Sequence, residues 1–84
     1  MVHLVFLGKF GDVAPDALAQ PVLPGDVRTL ADLKAWIAAQ SPPLGRMLAA
    51  TPLRLAVNQA LVQDLSLPIA AGDEIAFLPP MSGG

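Results

Sequence analysis

The chain opens on a crowded apolar stretch, VHLVFLGKF (2–10), that sets Val2, Leu4 and Phe6 on one side of an extended segment and His3, Val5 and Leu7 on the other. Its β-branched and aromatic content predicts a strand with two largely apolar faces. Gly11, Asp12 and Pro15 in GDVAPD predict a hairpin connection, after which ALAQPVLP (17–24) reads as a returning second strand. Pro21 restricts that strand to a sheet edge, because it cannot donate to a ladder on both sides.

The pattern then changes period. VRTLADLKAWIAAQSPP predicts a helix with Thr29 as N-cap, Asp32 near its positive end, and Leu30, Leu33 and Ile37 as its core stripe. It must stop by Ser41, since Pro42 and Pro43 cannot continue it, and LGRMLAA (44–50) adds one short helical turn. Leu53, Leu55 and Val57 alternate against Arg54, Ala56 and Asn58, the period of a half-buried strand. Asn58 and Gln59 predict a turn into a short strand at Ala60–Val62. A loop or single turn at 65–69 and a Gly72–Asp73 turn lead to a last strand, with Ile75 and Phe77 inward and Glu74, Ala76 and Leu78 outward.

The resulting order, ββαβ(β)β, predicts an α+β domain of the β-grasp or ubiquitin-like kind: a mixed sheet of about four to five strands packed on one main helix. The first and last strands are expected side by side and parallel at the sheet centre. The helix then covers one face, while Val5, Leu7, Ala76 and Leu78 leave apolar atoms on the other, which marks a partner surface. The domain is expected to span 1–78, with a flexible tail at 79–84.

Composition narrows the chemistry. Eighty-four residues with 54% apolar content suffice for one small core. No run approaches the roughly 20 apolar residues of a spanning helix, and the N-terminus lacks the marks of a secretory signal, so a soluble, cytoplasmic protein is expected. The absence of cysteine removes disulfides, zinc–thiolate sites and thiol nucleophiles. Five scattered basic residues against seven acids give a net charge of −2, which offers no footprint for nucleic acid. His3 has no companions for a metal site, Trp36 beside Ile37 reads as packing, and no pair of acids is placed for acid–base work. Ser82 has neither base nor orienting group and reads as a spacer.

The ending, LPPMSGG, is the remaining signal. Pro79 and Pro80 force an extended exit from the last strand, while Gly83 and Gly84 lack Cβ atoms and let a partner close around the chain. From Pro79 to Gly84 the segment can extend about 20 Å, carrying a carboxylate at its tip.

RLAVNQALV (54–62), GDEIAFLPPMSGG (72–84) and VHLVFLGKF together resemble the MoaD-like family of ubiquitin-like sulfur carriers, the small subunits of molybdopterin synthase. The most specific part is Gly72-Asp73-Glu74 with Phe77, Pro79, Pro80, Ser82, Gly83 and Gly84, matching a G-D-E motif followed by P-P-x-S-G-G; Met81 stands where valine is common, and 11–28 is less family-like.

The resemblance implies a carrier that is not an enzyme on its own. An E1-like adenylyltransferase would use ATP to adenylate the Gly84 carboxylate, and a sulfur donor protein would convert it to a thiocarboxylate. Pro79, Pro80, Met81, Ser82 and Gly83 would thread into the large synthase subunit, where sulfur passes to cyclic pyranopterin phosphate to form the molybdopterin dithiolene. The implied assembly is a heterotetramer of two small and two large subunits, with no cofactor or metal bound by this chain. Three other readings remain open: a thiamine-type sulfur carrier, a ubiquitin-like protein modifier recognised by conjugates, and a noncatalytic interaction module indifferent to loss of Gly84.

Overall fold

In the computed structural model, which describes residues 1–80, the chain runs β1 (His3–Phe6), α1 (Lys9–Val13), a 3-10 turn over Asp16–Leu18, α2 (Leu30–Gln40), α3 (Pro42–Ala50), β2 (Arg54–Val57), β3 (Ala60–Val62) and β4 (Glu74–Leu78). The sheet order is β1-β4-β2-β3, with β1 parallel to β4 and the other pairs antiparallel. The parallel pairing of first and last strands and the one-sided helical cover agree with a β-grasp arrangement.

The main helix begins where its cap residues place it. The Asp32 N–H donates to Thr29 Oγ1 at 3.2 Å, and the Asp32 carboxylate accepts from the backbone N–H of Thr29 at 3.2 Å and of Arg28 at 3.1 Å. This reciprocal capping box satisfies donors that the first helical turn cannot use, a contribution of about 1 kcal/mol. Leu30, Leu33 and Ile37 are buried, as their spacing predicts, and join Leu4, Leu55, Ile75 and Phe77 from the sheet in one core. Phe6 stacks on Phe77 with ring centroids 4.8 Å apart, tying β1 to β4 on the inner face. Trp36 is half-buried against that core, a packing role.

Four expectations need correction. The opening strand is shorter than 2–10: it ends at Phe6, and Lys9–Val13 turns into α1, which buries Phe10 completely. Residues 17–24 form no second strand. The segment does return beside β1, and Leu4 N–H donates to Ala19 O at 2.7 Å, but the ladder stops there. Ala19 spends its own N–H on Asp16 O at 3.0 Å, and Pro21 has none to give. With that strand missing, β4 is central and β1 lies at the sheet edge, so the two are adjacent and parallel but not both central.

The last correction concerns 42–50, a helix of nine residues rather than one turn. Pro42 and Pro43 end α2 and also start α3, because the first helical positions need no intrahelical donor. Ser41 is the hinge: its N–H donates to Ile37 O and its carbonyl accepts from Gly45 N–H, both at 2.9 Å. Gly45 is required by the approach of the two helices, since a Cβ there would lie 2.5 Å from Ala38 Cβ. Leu44 and Leu48 turn the buried face of α3 into the core.

Candidate functional site

Strand register decides which side chains share the uncovered face. Val5 pairs with Ala76, Ala76 with Ala56, and Ala56 with Leu61, so one apolar row crosses all four strands on the side away from α2. Leu78 continues the patch toward the end of β4, with Arg54 directly opposite it on β2. Leu7 follows β1 at the same end and is 42% exposed. Of the four residues assigned to this face from sequence, Val5, Ala76 and Leu78 are half-buried and Leu7 is exposed. The register adds two that the sequence reading left out, Ala56 and Leu61, the latter 62% exposed. Period-two alternation through the Asn58–Gln59 turn carries the signal that could have found them.

The face has a polar end and an apolar end. His3 and Glu74 are register partners at the start of β4, beside a knot of hydrogen bonds. Asn58 and Gln59 both have positive φ, 51° and 72°, the geometry of a tight two-residue hairpin. That turn aims Asn58 at β4: its Nδ2 donates to Asp73 Oδ1 at 3.0 Å and its Oδ1 accepts from Glu74 N–H at 3.0 Å. Asp73 Oδ2 accepts from Ala70 N–H at 2.8 Å. These bonds favour the ionised carboxylate, and the Ala70 amide first, then the Asn58 amide, hold the Asp73 pKa below its ordinary value. The Gly72-Asp73-Glu74 motif is therefore a structural clasp at the end of the sheet opposite the C-terminal exit.

At that exit, Leu7 N–H donates to Phe77 O at 3.0 Å, Pro79 is half-buried and Pro80 is exposed. Met81, Ser82, Gly83 and Gly84, expected to form the tail and its reactive end, lie outside the described residues. The described residues thus bring the chain's exit to the apolar end of the exposed face, with Leu78 common to both. Among them no three of His, Cys, Asp or Glu gather as metal ligands, and no helix is long and apolar enough to cross a membrane. His3 is exposed, with its Nδ1 3.5 Å from Gln20 Nε2.

Known proteins resemble the whole chain. The sulfur carrier subunit of molybdopterin synthase from Escherichia coli is 42% identical over 85 residues, covering all of both chains. The subunit of the same name from Drosophila yakuba is 32% identical over 89 residues, covering 99% of this chain and 90% of that one. Among solved structures, SAMP1 from Haloferax volcanii superposes with a TM-score of 0.77 at 22% identity, over 99% of this chain and 98% of its own, a likeness of fold. A chain from the complex of subunits 1 and 2 of molybdopterin-converting factor from Helicobacter pylori superposes with a TM-score of 0.65 at 26% identity, over 99% and 97%. The family model described as ThiS family matches residues 5–84. The chain belongs to the ThiS family, and along its full length it is similar to sulfur carrier subunits of molybdopterin synthase.

Proposed function

We propose that this chain is the sulfur-carrying subunit of a molybdopterin synthase, with its C-terminal Gly84 as the site of the cargo. The observation that carries the reading is full-length identity of 42% to a sulfur carrier subunit of molybdopterin synthase. The row Val5, Ala76, Ala56 and Leu61 on the face away from α2, with Leu7 and Leu78 beside the exit, supports it by offering an apolar surface next to the proposed reactive end.

The chemistry follows from the poor electrophilicity of a carboxylate. A Gly84 carboxylate oxygen attacks the α-phosphorus of ATP on an E1-like adenylyltransferase, pyrophosphate leaves, and an acyl-adenylate forms. Hydrosulfide or its equivalent on a sulfur donor protein attacks the acyl carbon and expels AMP, leaving a thiocarboxylate. On the large synthase subunit that sulfur attacks a side-chain carbon of the cyclic pyranopterin phosphate, and the C–O bond at that carbon breaks with its oxygen leaving on the phosphate or as water. Water then cleaves the acyl–sulfur bond to regenerate the carboxylate and leave the sulfur on the pterin. Two carriers serve the two sulfurs of one dithiolene, which accords with a heterotetramer of two small and two large subunits. No side-chain thiol is needed, consistent with a chain that has no cysteine.

Mass spectrometry of the chain after incubation with the adenylyltransferase, ATP and a sulfur donor tests this. The expected product has one oxygen replaced by sulfur at Gly84 and converts the pterin precursor to dithiolene with the large subunit. A chain lacking only Gly84 should give no dithiolene, because its reacting carbon falls short by about 3.3–3.6 Å. Conjugates to other proteins in place of the thiocarboxylate would make the chain a modifier, and a thiocarboxylate inert toward the pterin precursor would make it a carrier for another acceptor.

A further inference from the structure

The C-terminal segment leaves the sheet across a glycine. Pro79 lies over Gly8, so closely that a Cβ at Gly8 would sit 2.9 Å from Pro79 Cγ and 3.6 Å from its Cδ. Real Cβ atoms do not approach a neighbour within 3.0 Å. Gly8 also has φ 57° and ψ −136°, a conformation open to glycine and strained for other residues. The first feature concerns the exit and the second the corner between β1 and α1. The corner does not need the first, so the proximity to Pro79 is an additional property of this position.

The surface on which Pro79 rests is itself held firmly. Leu7 N–H donates to Phe77 O at 3.0 Å, Phe10 N–H to Leu7 O at 3.2 Å and Gly11 N–H to Gly8 O at 3.0 Å. Phe10, two residues beyond Gly8, is fully buried in the core. Pro79 is half-buried on this corner, and the next residue, Pro80, is exposed. Pro79 is thus the last described residue of the segment that packs on the domain, and the five residues after it span at most about 18 Å when extended.

We infer that Gly8 is a positioning residue for the C-terminal segment: by leaving room for the Pro79 ring it sets the point from which Gly84 is presented, relative to the docking face of Val5, Ala76 and Leu78. The inference rests on the carrier reading above. The five residues beyond Pro79 reach at most about 18 Å, so moving their base moves the limit of what the reacting carbon can reach inside a partner, and a displacement of about 1 Å costs a positioned reaction on the order of 100-fold. Docking itself uses other side chains, so a shift at Gly8 acts on the reaction rather than on affinity.

The test is carrier-dependent ATP–pyrophosphate exchange by the adenylyltransferase, with KM and kcat measured for wild type, Gly8→Ala, Pro79→Ala and the double variant, each shown folded by circular dichroism at the assay temperature. Gly8→Ala should lower kcat by about 10-fold or more and leave KM within about threefold. Pro79→Ala removes the ring that the new Cβ would meet, so Gly8→Ala should cost less in the Pro79→Ala background than in wild type, the remainder being the backbone strain at φ 57°. If Gly8→Ala does not fold, Pro79→Ala decides the matter by a fall in kcat at unchanged KM, because it tests the same contact from the other side. Single variants with wild-type kcat, losses that multiply in the double variant, or a rise in KM alone would each overturn the role of Gly8. Failure of the wild-type chain to support exchange would overturn the carrier reading together with it, whereas wild-type exchange with indifferent variants removes only the inference.

Discussion

The two ends of β4 are held by different physics. At its start, polar groups do the work: Asn58 bridges Asp73 and Glu74, Asn58 N–H donates to Glu74 O at 2.8 Å, His3 N–H donates to Asp73 O at 2.9 Å, and Gly72 N–H to Met1 O at 3.0 Å. At its finish, beyond the ladder pairing of Leu78 with Arg54, there is the Leu7–Phe77 hydrogen bond and then the close approach of the Pro79 ring to the Gly8 backbone. Hydrogen bonds are directional and fix the strand's register at one end. Apolar contact at the other end fixes position without tying up the polar groups of the chain that continues beyond it. On the proposed carrier function the end of β4 beside the C-terminal exit serves docking, so mutations at the two ends should separate stability from docking.

The largest effect is expected at the exit. Leu78 is half-buried on the exposed face, with Arg54 opposite it across β2. In the free chain Leu78→Asp places a carboxylate next to that guanidinium, which offsets its cost, so the domain should stay folded. In a complex the same carboxylate is stripped of water against an apolar partner surface. Calorimetric titration with the large subunit should show affinity lower by about 100-fold, or roughly 2.7 kcal/mol, with a thermal midpoint close to wild type. Equal affinity would remove this end of β4 from the interface.

The reverse outcome is expected at the clasp. Asn58→Ala removes two side-chain hydrogen bonds and puts alanine at φ 51°, together costing about 2 kcal/mol. For a domain of this size the midpoint should fall by roughly 10 °C. Asn58→Gly accepts the positive φ and loses only the bonds, so it should fall less. Binding to the large subunit, measured well below either midpoint, should match wild type for both. A change in affinity without a change in midpoint would assign the clasp to docking and undo the contrast.

The same contrast marks what the sequence made legible. Local rules carried α2, with its Thr29–Asp32 cap and its Leu30, Leu33, Ile37 stripe, and they carried the in–out alternation of β2 and β4. They failed where one residue has two roles or where a partner decides. Pro42 and Pro43 read as a stop, although the same missing N–H groups permit a helix start. Residues 17–24 read as a strand because a strand is judged by its own side chains, whereas a ladder needs free donors, and Ala19 and Pro21 have none to offer β1. Asn58 and Asp73 each read as turn residues, but their contact spans 15 positions and no local pattern encodes it. Leu61 was missed for the same reason: its face depends on the register with Ala56.

The smallest effect is the pH dependence of the clasp, and its sign follows from which carboxylate form the bonds favour. Asp73 in the folded chain titrates below its ordinary value of 3.8, lowered by the Ala70 N–H and then by the Asn58 amide. The group therefore contributes stability that is fully present above about pH 3.8, where the unfolded chain is also ionised, and that is lost as pH falls through the lower folded value. Asp32, lowered by the Arg28 and Thr29 amides, and Asp64, lowered by the Ser66 hydroxyl and amide, act in the same direction and the same window. Thermal midpoints should thus be flat in these groups from pH 7 to 5 and fall below about 4. Wild type and Asn58→Gly, compared across that range, isolate the clasp's share. The glycine variant lacks one of the two bonds that depress Asp73, so its acid limb should be shallower and the gap between the two proteins should narrow as pH falls. Parallel limbs would mean that the Asn58 amide does not discriminate between the two forms of Asp73, and that the clasp owes its stability to the Ala70 and Glu74 backbone bonds instead.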